Sequence, residues 1–142
     1  MRANLPYYFY RVANILYRYK IPLIPFIIQQ FLRFVFCCFI PYQTKIGKNV
    51  HFGHNGMGIV LHKDCVIGNN VEIDQHVTLG GRKDDKVPII GDNVRIGAGA
   101  KILGGIKIGD NAKIGANAVV ITDVPNGATA VGVPARIINK NE

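Results

Sequence analysis

The run Ile90–Val120, IGDNVRIGAGAKILGGIKIGDNAKIGANAVV, decides how the chain folds. Counted from its first residue, every sixth position is aliphatic: Ile90, Ile96, Ile102, Ile108, Ile114 and Val120. The residue four places after each is small or aliphatic, giving Val94, Ala100, Ile106, Ala112, Ala118 and Val124. A period of six matches neither the turn of an amphipathic helix nor the two-residue alternation of an unbroken strand. It describes a short strand, a tight corner and another short strand, repeated. Gly follows the leading residue at 91, 97, 109 and 115, and Asn recurs at 93, 111 and 117. Both residue types accept the positive backbone torsions of a corner. The expected fold is a parallel β-helix whose stacked coils share one apolar core.

Toward the N-terminus the same phase returns at Ile46, Phe52, Leu61, Ile67, Ile73 and Leu79, with companions Val50, Cys65, Val71 and Val77. Gly47, Gly68, Asn49 and Asn70 continue the corner pattern. Two segments break it. In FGHNGMGIVLH, Phe52–His62, the interval grows from six residues to nine, and in GGRKDDKVP, Gly80–Pro88, the count is reset. Residues that a repeat does not need are where a site is expected, and the first break holds His54.

Residues 1–41 follow another grammar. They carry YYFY (Tyr7–Tyr10), Tyr17, Tyr19 and five further phenylalanines, with Arg11 and Arg18 at helical spacing. Two short helices are expected, Leu5–Tyr19 and Leu23–Phe39, joined at Pro22. They are too apolar to stand alone in water, so they pack on the coils and their assembly, or lie on a membrane surface with the arginines at the headgroups. The division is an N-terminal helical segment, 1–41, and a β-helix domain with a C-terminal tail, 42–142.

At 142 residues the chain has length for one domain. Its net charge of +8 suits an anionic partner. The basic residues are spread along the coils rather than clustered with stacking aromatics, which argues against nucleic acid. Cys37 and Cys38 sit in an apolar run and read as small buried hydrophobes; with Cys65 they make no disulfide framework or metal spacing, which fits a reducing cytoplasm. No cleavable leader is expected. Pro22, Pro25, Gln29, Gln30 and Arg33 break the stretch Ile21–Ile40, so it does not read as a membrane span.

The elements GIVLHKDCVIGNNVEIDQHVTLGG, the run 90–120 and GVPARII, in this order, resemble the hexapeptide-repeat acyltransferases, and within them the serine acetyltransferase branch with its short relatives that acetylate sugars of surface polysaccharides. The resemblance implies a left-handed β-helix with about three hexapeptides per coil, a homotrimer, and acetyl-CoA as acetyl donor. It puts His54 in the place of the catalytic base. Gly80, Gly81, Ala98, Lys113, Ala116 and Arg136 fall in coenzyme-binding places, the glycines near the thioester, the alanines along the pantetheine arm and the cations near the phosphates. For those glycines and alanines, plain corner packing is an equal explanation.

Acetyl transfer to a hydroxyl needs a base for the hydroxyl proton and donors for the developing oxyanion. An imidazole can take the proton near neutrality and return it to the departing thiolate. Asn55, Asp74 and His76 are the nearby candidates for substrate contact or for orienting His54. His51 and His62 read as surface or interface residues. The chain departs from the serine enzymes at Gly53, where they have aspartate, and at Val87, where they have a second histidine. Those departures favour a sugar hydroxyl as acceptor, with L-serine as the alternative and a non-catalytic scaffold as a remote one. A zinc hydratase on the same fold needs three converging histidines with one pair four residues apart, and 51, 54, 62 and 76 contain no such pair. No metal is expected. The implied location is the cytoplasm, or the inner face of its membrane if residues 1–41 touch lipid.

Overall fold

The computed structural model describes residues 4–138. Two helices, α1 (Leu5–Arg18) and α2 (Ile24–Val35), precede fourteen short strands. Pairing, parallel throughout except for the antiparallel last two strands, sorts the strands into three sheets. The first contains β1 (Lys45–Ile46), β4 (Val66–Ile67), β7 (Ile89–Ile90) and β10 (Lys107–Ile108). The second contains β2 (His51–Phe52), β5 (Glu72–Ile73), β8 (Arg95–Ile96), β11 (Lys113–Ile114), β13 (Thr129–Gly132) and β14 (Ala135–Ile138). The third contains β3 (Val60–Leu61), β6 (Thr78–Gly80), β9 (Lys101–Leu103) and β12 (Val119–Val120).

The register turns the six-residue period into geometry. Ile90 pairs with Ile108, Ile96 with Ile114 and Ile102 with Val120, so one coil is eighteen residues, three hexapeptides. All twelve leading aliphatic or aromatic positions point inward and are buried, as are their companions four residues on. Stacked in register, they form one apolar column, and its burial is the chief stabilisation of the coils. Where Ile46 pairs with Ile67 the coil is three residues longer, at the Phe52–Leu61 corner. Where Ile67 pairs with Ile90 it is five longer, between Leu79 and Ile90. Both breaks in the sequence pattern are therefore loops leaving an otherwise uniform wall.

The expected corner chemistry holds for asparagine and fails for glycine. Asn49, Asn70, Asn93, Asn111 and Asn117 all adopt positive φ, between 55° and 60°. Gly47, Gly68, Gly91, Gly97, Gly109 and Gly115 are not among the positive-φ residues. They are glycine because the next coil lies against them: a Cβ on Gly91 would sit 2.3 Å from Asp110 Oδ1, and one on Gly97 2.7 Å from the Ala116 amide nitrogen. Close stacking, not torsion, selects them.

Helix α1 closes the first coil. The edges of β1 and β2 there have no further strand beside them, and exposed carbonyls at a sheet edge need donors. Asn4 Nδ2 donates to Val50 O (2.6 Å), Tyr7 Oη to Gly47 O (2.8 Å), Tyr10 Oη to Thr44 O and Asn14 Nδ2 to Tyr42 O (2.8 Å). Burial pushes the Tyr10 phenol up to about 12. Asn4 Oδ1 also accepts from Phe52 N, and the Tyr7 ring packs edge-on against Phe52. The inward face of the helices is thus built into the coil, while the outward face is exposed.

Helix α2 is shorter than its composition suggests. It ends at Val35, Cys37 turns left-handed (φ 52°), and Phe39 pairs with Val60 of β3. The reason is competition: the Phe39 N–H and C=O bond to Ile59 and Leu61 and cover the open edge of the third sheet. Cys37 is exposed, against the expectation of burial, because its left-handed backbone turns it out while Cys38 turns in. Burial, with a smaller push from Cys37, raises the Cys38 thiol to about 12, and burial raises Cys65 to about 11.

Candidate active site at the second corner

Between the second and third sheets each coil turns at Gly53–Gly58, Asp74–His76, Gly97–Gly99 and Gly115–Asn117. In the first coil this corner carries the three extra residues. His54 and Asn55 both adopt left-handed torsions (φ 49° and 53°), followed by Gly56 at φ 75° and Gly58 at φ 70°. Two consecutive non-glycine residues in that region cost free energy, of order 1–3 kcal/mol each when the surroundings enforce them. The surroundings here are specific. Gly58 N donates to Cys37 O (2.9 Å), Ile59 N to Gly56 O (2.9 Å), and His76 N to Met57 O (2.9 Å). Gly56 lies against the buried Cys38 side chain. The loop is thus tied at one end to the α2 exit and at the other to the coil below, and it leaves the His54 side chain exposed.

The next coil supplies the floor. Asp74 lies beneath Gly53, with Oδ1 2.8 Å from where a Cβ would be, so any side chain at 53 would have to displace the carboxylate. The carboxylate beside residue 53 thus comes from the following coil, not from the residue before His54. The His76 ring lies under Gly58, where a Cβ would overlap it, and His76 too has positive φ (61°). Asn55 Oδ1 is buried without a hydrogen-bond partner among the described residues. Among those residues, no side chain bonds the His54 imidazole.

Below the histidines the corner is lined by small residues and bare backbone. Ala98 and Ala116 occupy successive turns, and the N–H groups of Gln75, Ala98 and Ala116 have no acceptor among the described residues. At about 4.8 Å per coil, Ala116 lies three steps, roughly 14 Å, from the His54 level. Near that end Lys113 projects from β11, and Arg136 lies on β14 opposite Val131, whose side chain borders Gly115.

Gly80 and Gly81 are elsewhere, at the end of β6 and just beyond it, turning toward the third corner. Neither has positive φ, and a Cβ would find its nearest neighbours at 3.6 and 3.7 Å. The fold has room for a side chain at both. The sequence pattern singled out these residues but not the row of free amides. The signal was present: Gly68, Gly91 and Gly109 at the first corner are followed by Asn or Asp, and Gly97 and Gly115 at the second by Ala. Val87, where the resemblance expects a second histidine, is packed against the core.

Two family models match the chain: hexapeptide repeat of succinyl-transferase over residues 43–75, and bacterial transferase hexapeptide (six repeats) over 88–122. The serine acetyltransferase of Staphylococcus aureus (strain Mu50) is 45% identical over 133 residues, 92% of this chain and 62% of that protein. This is a serine acetyltransferase-like member of the hexapeptide-repeat acyltransferase family. Soybean serine acetyltransferase complexed with serine superposes with a TM-score of 0.88 at 46% identity, over 94% of this chain and 56% of that one. A serine acetyltransferase in complex with CoA gives 0.87 at 44% identity, over 94% of this chain and 55% of that one. The chain thus spans 62% of the curated relative's length.

Proposed function

We propose that the chain is an O-acetyltransferase that moves the acetyl group of acetyl-CoA to a hydroxyl, with L-serine as acceptor. The observation that carries this is His54, held out on a tied left-handed loop above a corner of open backbone amides. The matched proteins that are named serine acetyltransferases, one bound to serine and one to CoA, support the choice of donor and acceptor. They shift the acceptor from the sugar that Gly53 and Val87 suggested toward L-serine.

In this reading His54 takes the proton of the acceptor hydroxyl as its oxygen attacks the thioester carbon. Corner N–H groups face the donor's amides and the developing oxyanion. The carbon–sulfur bond then breaks, and the imidazolium returns its proton to the leaving thiolate. Lys113 and Arg136 meet the phosphates at the far end. Gly80 and Gly81 lie at the far end of β6 from the second corner, so they join this cleft only if a neighbouring prism supplies them. That requirement supports a homotrimer with sites between subunits. Asp74, Asn55 and His76 contact the acceptor or orient the base.

A sugar hydroxyl is the second reading, favoured by the core packing of Val87 in place of a polar group. Thiol release from acetyl-CoA, measured with L-serine and in parallel with nucleotide sugars and oligosaccharides, decides between them. Release with L-serine alone supports the first reading. Release only with a sugar replaces it, and no coenzyme binding by calorimetry overturns acetyl transfer altogether.

A further inference from the structure

The net charge of this protein arises in one part of it. Residues 1–63 contain eight Lys and Arg and no Asp or Glu, whereas residues 64–142 contain nine of each. The whole net charge of +8 therefore belongs to the helix pair and the first coil. Both helices also present an exposed apolar stripe. Leu5, Tyr8, Val12 and Ile15 on α1, and Ile24, Ile27, Phe31 and Phe34 on α2, follow the same i, i+3, i+7, i+10 spacing and are all exposed. Phe34 is 79% exposed, and Tyr19 and Leu23 in the connection are 77% and 68% exposed. Beside α1 runs a groove of about 470 Å³ lined by Arg11, Arg18, Lys45 and Tyr17. None of these three cations is in an ion pair among the described residues.

We infer that this face docks on an anionic lipid surface. The helices lie flat, their aromatic stripes enter the headgroup boundary, and the groove beside α1 takes lipid phosphates. Each feature fits that occupant. Helices of 14 and 12 residues are only about 21 and 18 Å long, and no helix of the described residues is long and apolar enough to cross a membrane. Tyr and Phe beside Arg and Lys are the composition of an interfacial segment. A second copy of the chain is the poorer occupant, since a two-fold contact would press one acid-free cationic patch against another. The inference is independent of the acceptor and of the chemistry at His54.

The test is sedimentation of the full chain with vesicles of phosphatidylcholine alone and of phosphatidylcholine with phosphatidylglycerol. Binding is expected only to the anionic vesicles, falling steeply as salt rises. Arg11→Gln with Arg18→Gln should weaken it by about fivefold for each cation removed. Tyr8→Glu with Phe34→Glu, both on exposed positions, should weaken it at least about tenfold with an unchanged melting temperature. Failure to bind anionic vesicles, or equal binding to neutral ones, overturns the inference. So does a fall in particle mass on Phe34→Glu in the absence of lipid binding, which would make the face a subunit contact.

Discussion

Two corners of the same coils have been built to opposite ends. At the corner between the first and second sheets, each coil offers an Asx side chain to the coil before it. Lys48 N donates to Asn69 Oδ1 (2.9 Å), Asn69 N to Asp92 Oδ1 (2.7 Å), Asp92 N to Asp110 Oδ1 (2.8 Å) and Asp110 N to Asn126 Oδ1 (2.9 Å). The glycine before each donor leaves room for the incoming carboxamide or carboxylate. This ladder consumes the corner's backbone donors internally. At the corner between the second and third sheets the equivalent positions hold Gln75, Ala98 and Ala116, whose side chains accept nothing there, and the donors stay open. One corner is closed by its own side chains and holds the stack together; the other is left unsatisfied in the way a ligand-binding wall is. The lesson is that a repeat fold marks its site by what it omits.

That contrast can be attacked from both sides. The largest effect is expected from His54→Ala, which should lower turnover at least about 100-fold while leaving coenzyme affinity nearly unchanged, because the imidazole acts only as the proton moves. Steady-state rates at saturating acceptor, set beside calorimetric binding of CoA, check it. Retained turnover would move the base to His76. Next, Gly91→Ala in the closed corner should cost about 2 kcal/mol in urea unfolding, since its Cβ would meet Asp110 Oδ1 at 2.3 Å and Asp110 N at 2.9 Å. Gly81→Ala, with its nearest neighbour at 3.7 Å, should leave unfolding unchanged.

Filling the open corner is the complementary experiment. Ala116 is exposed, so Ala116→Phe should fold normally yet bind CoA about tenfold more weakly by blocking the wall. Equal binding would show that the corner does not hold the coenzyme. A smaller effect is expected from Asp92→Ala, which removes the acceptor of both Asn69 N and Asn69 Nδ2 and should cost about 1 kcal/mol with unaltered CoA binding. The thiols give the smallest signal. Cys38 and Cys65 are held protonated by burial, so alkylation of the native protein at mildly alkaline pH should label Cys37 alone. Folded thiols at about 12 and 11 against an ordinary 9.0 bind their protons more tightly than unfolded ones. Their contribution to stability is therefore complete below pH 9 and is lost as pH rises through 11 and 12.

The six-residue aliphatic period was sufficient to assign parallel coils, to name the core positions from Ile46 to Val124 apart from Ile59 in the first break, and to locate both loops by where the period lapses. A period is legible because each repeat must bury the same face against the same neighbours, so the constraint is written into every turn. His54 was legible for the converse reason: it stands where the repeat has no use for it. Tertiary structure alone decided the rest. Whether a corner glycine answers to torsion or to stacking depends on the coil beneath, about eighteen residues away in the chain. Likewise, Asp74 beneath Gly53, the Cys37 carbonyl that ties Gly58, and the shortened α2 arise from contacts between segments that no local pattern connects. Local sequence sets which face of a segment is apolar; only packing sets which coil it meets, and the site is made at those meetings.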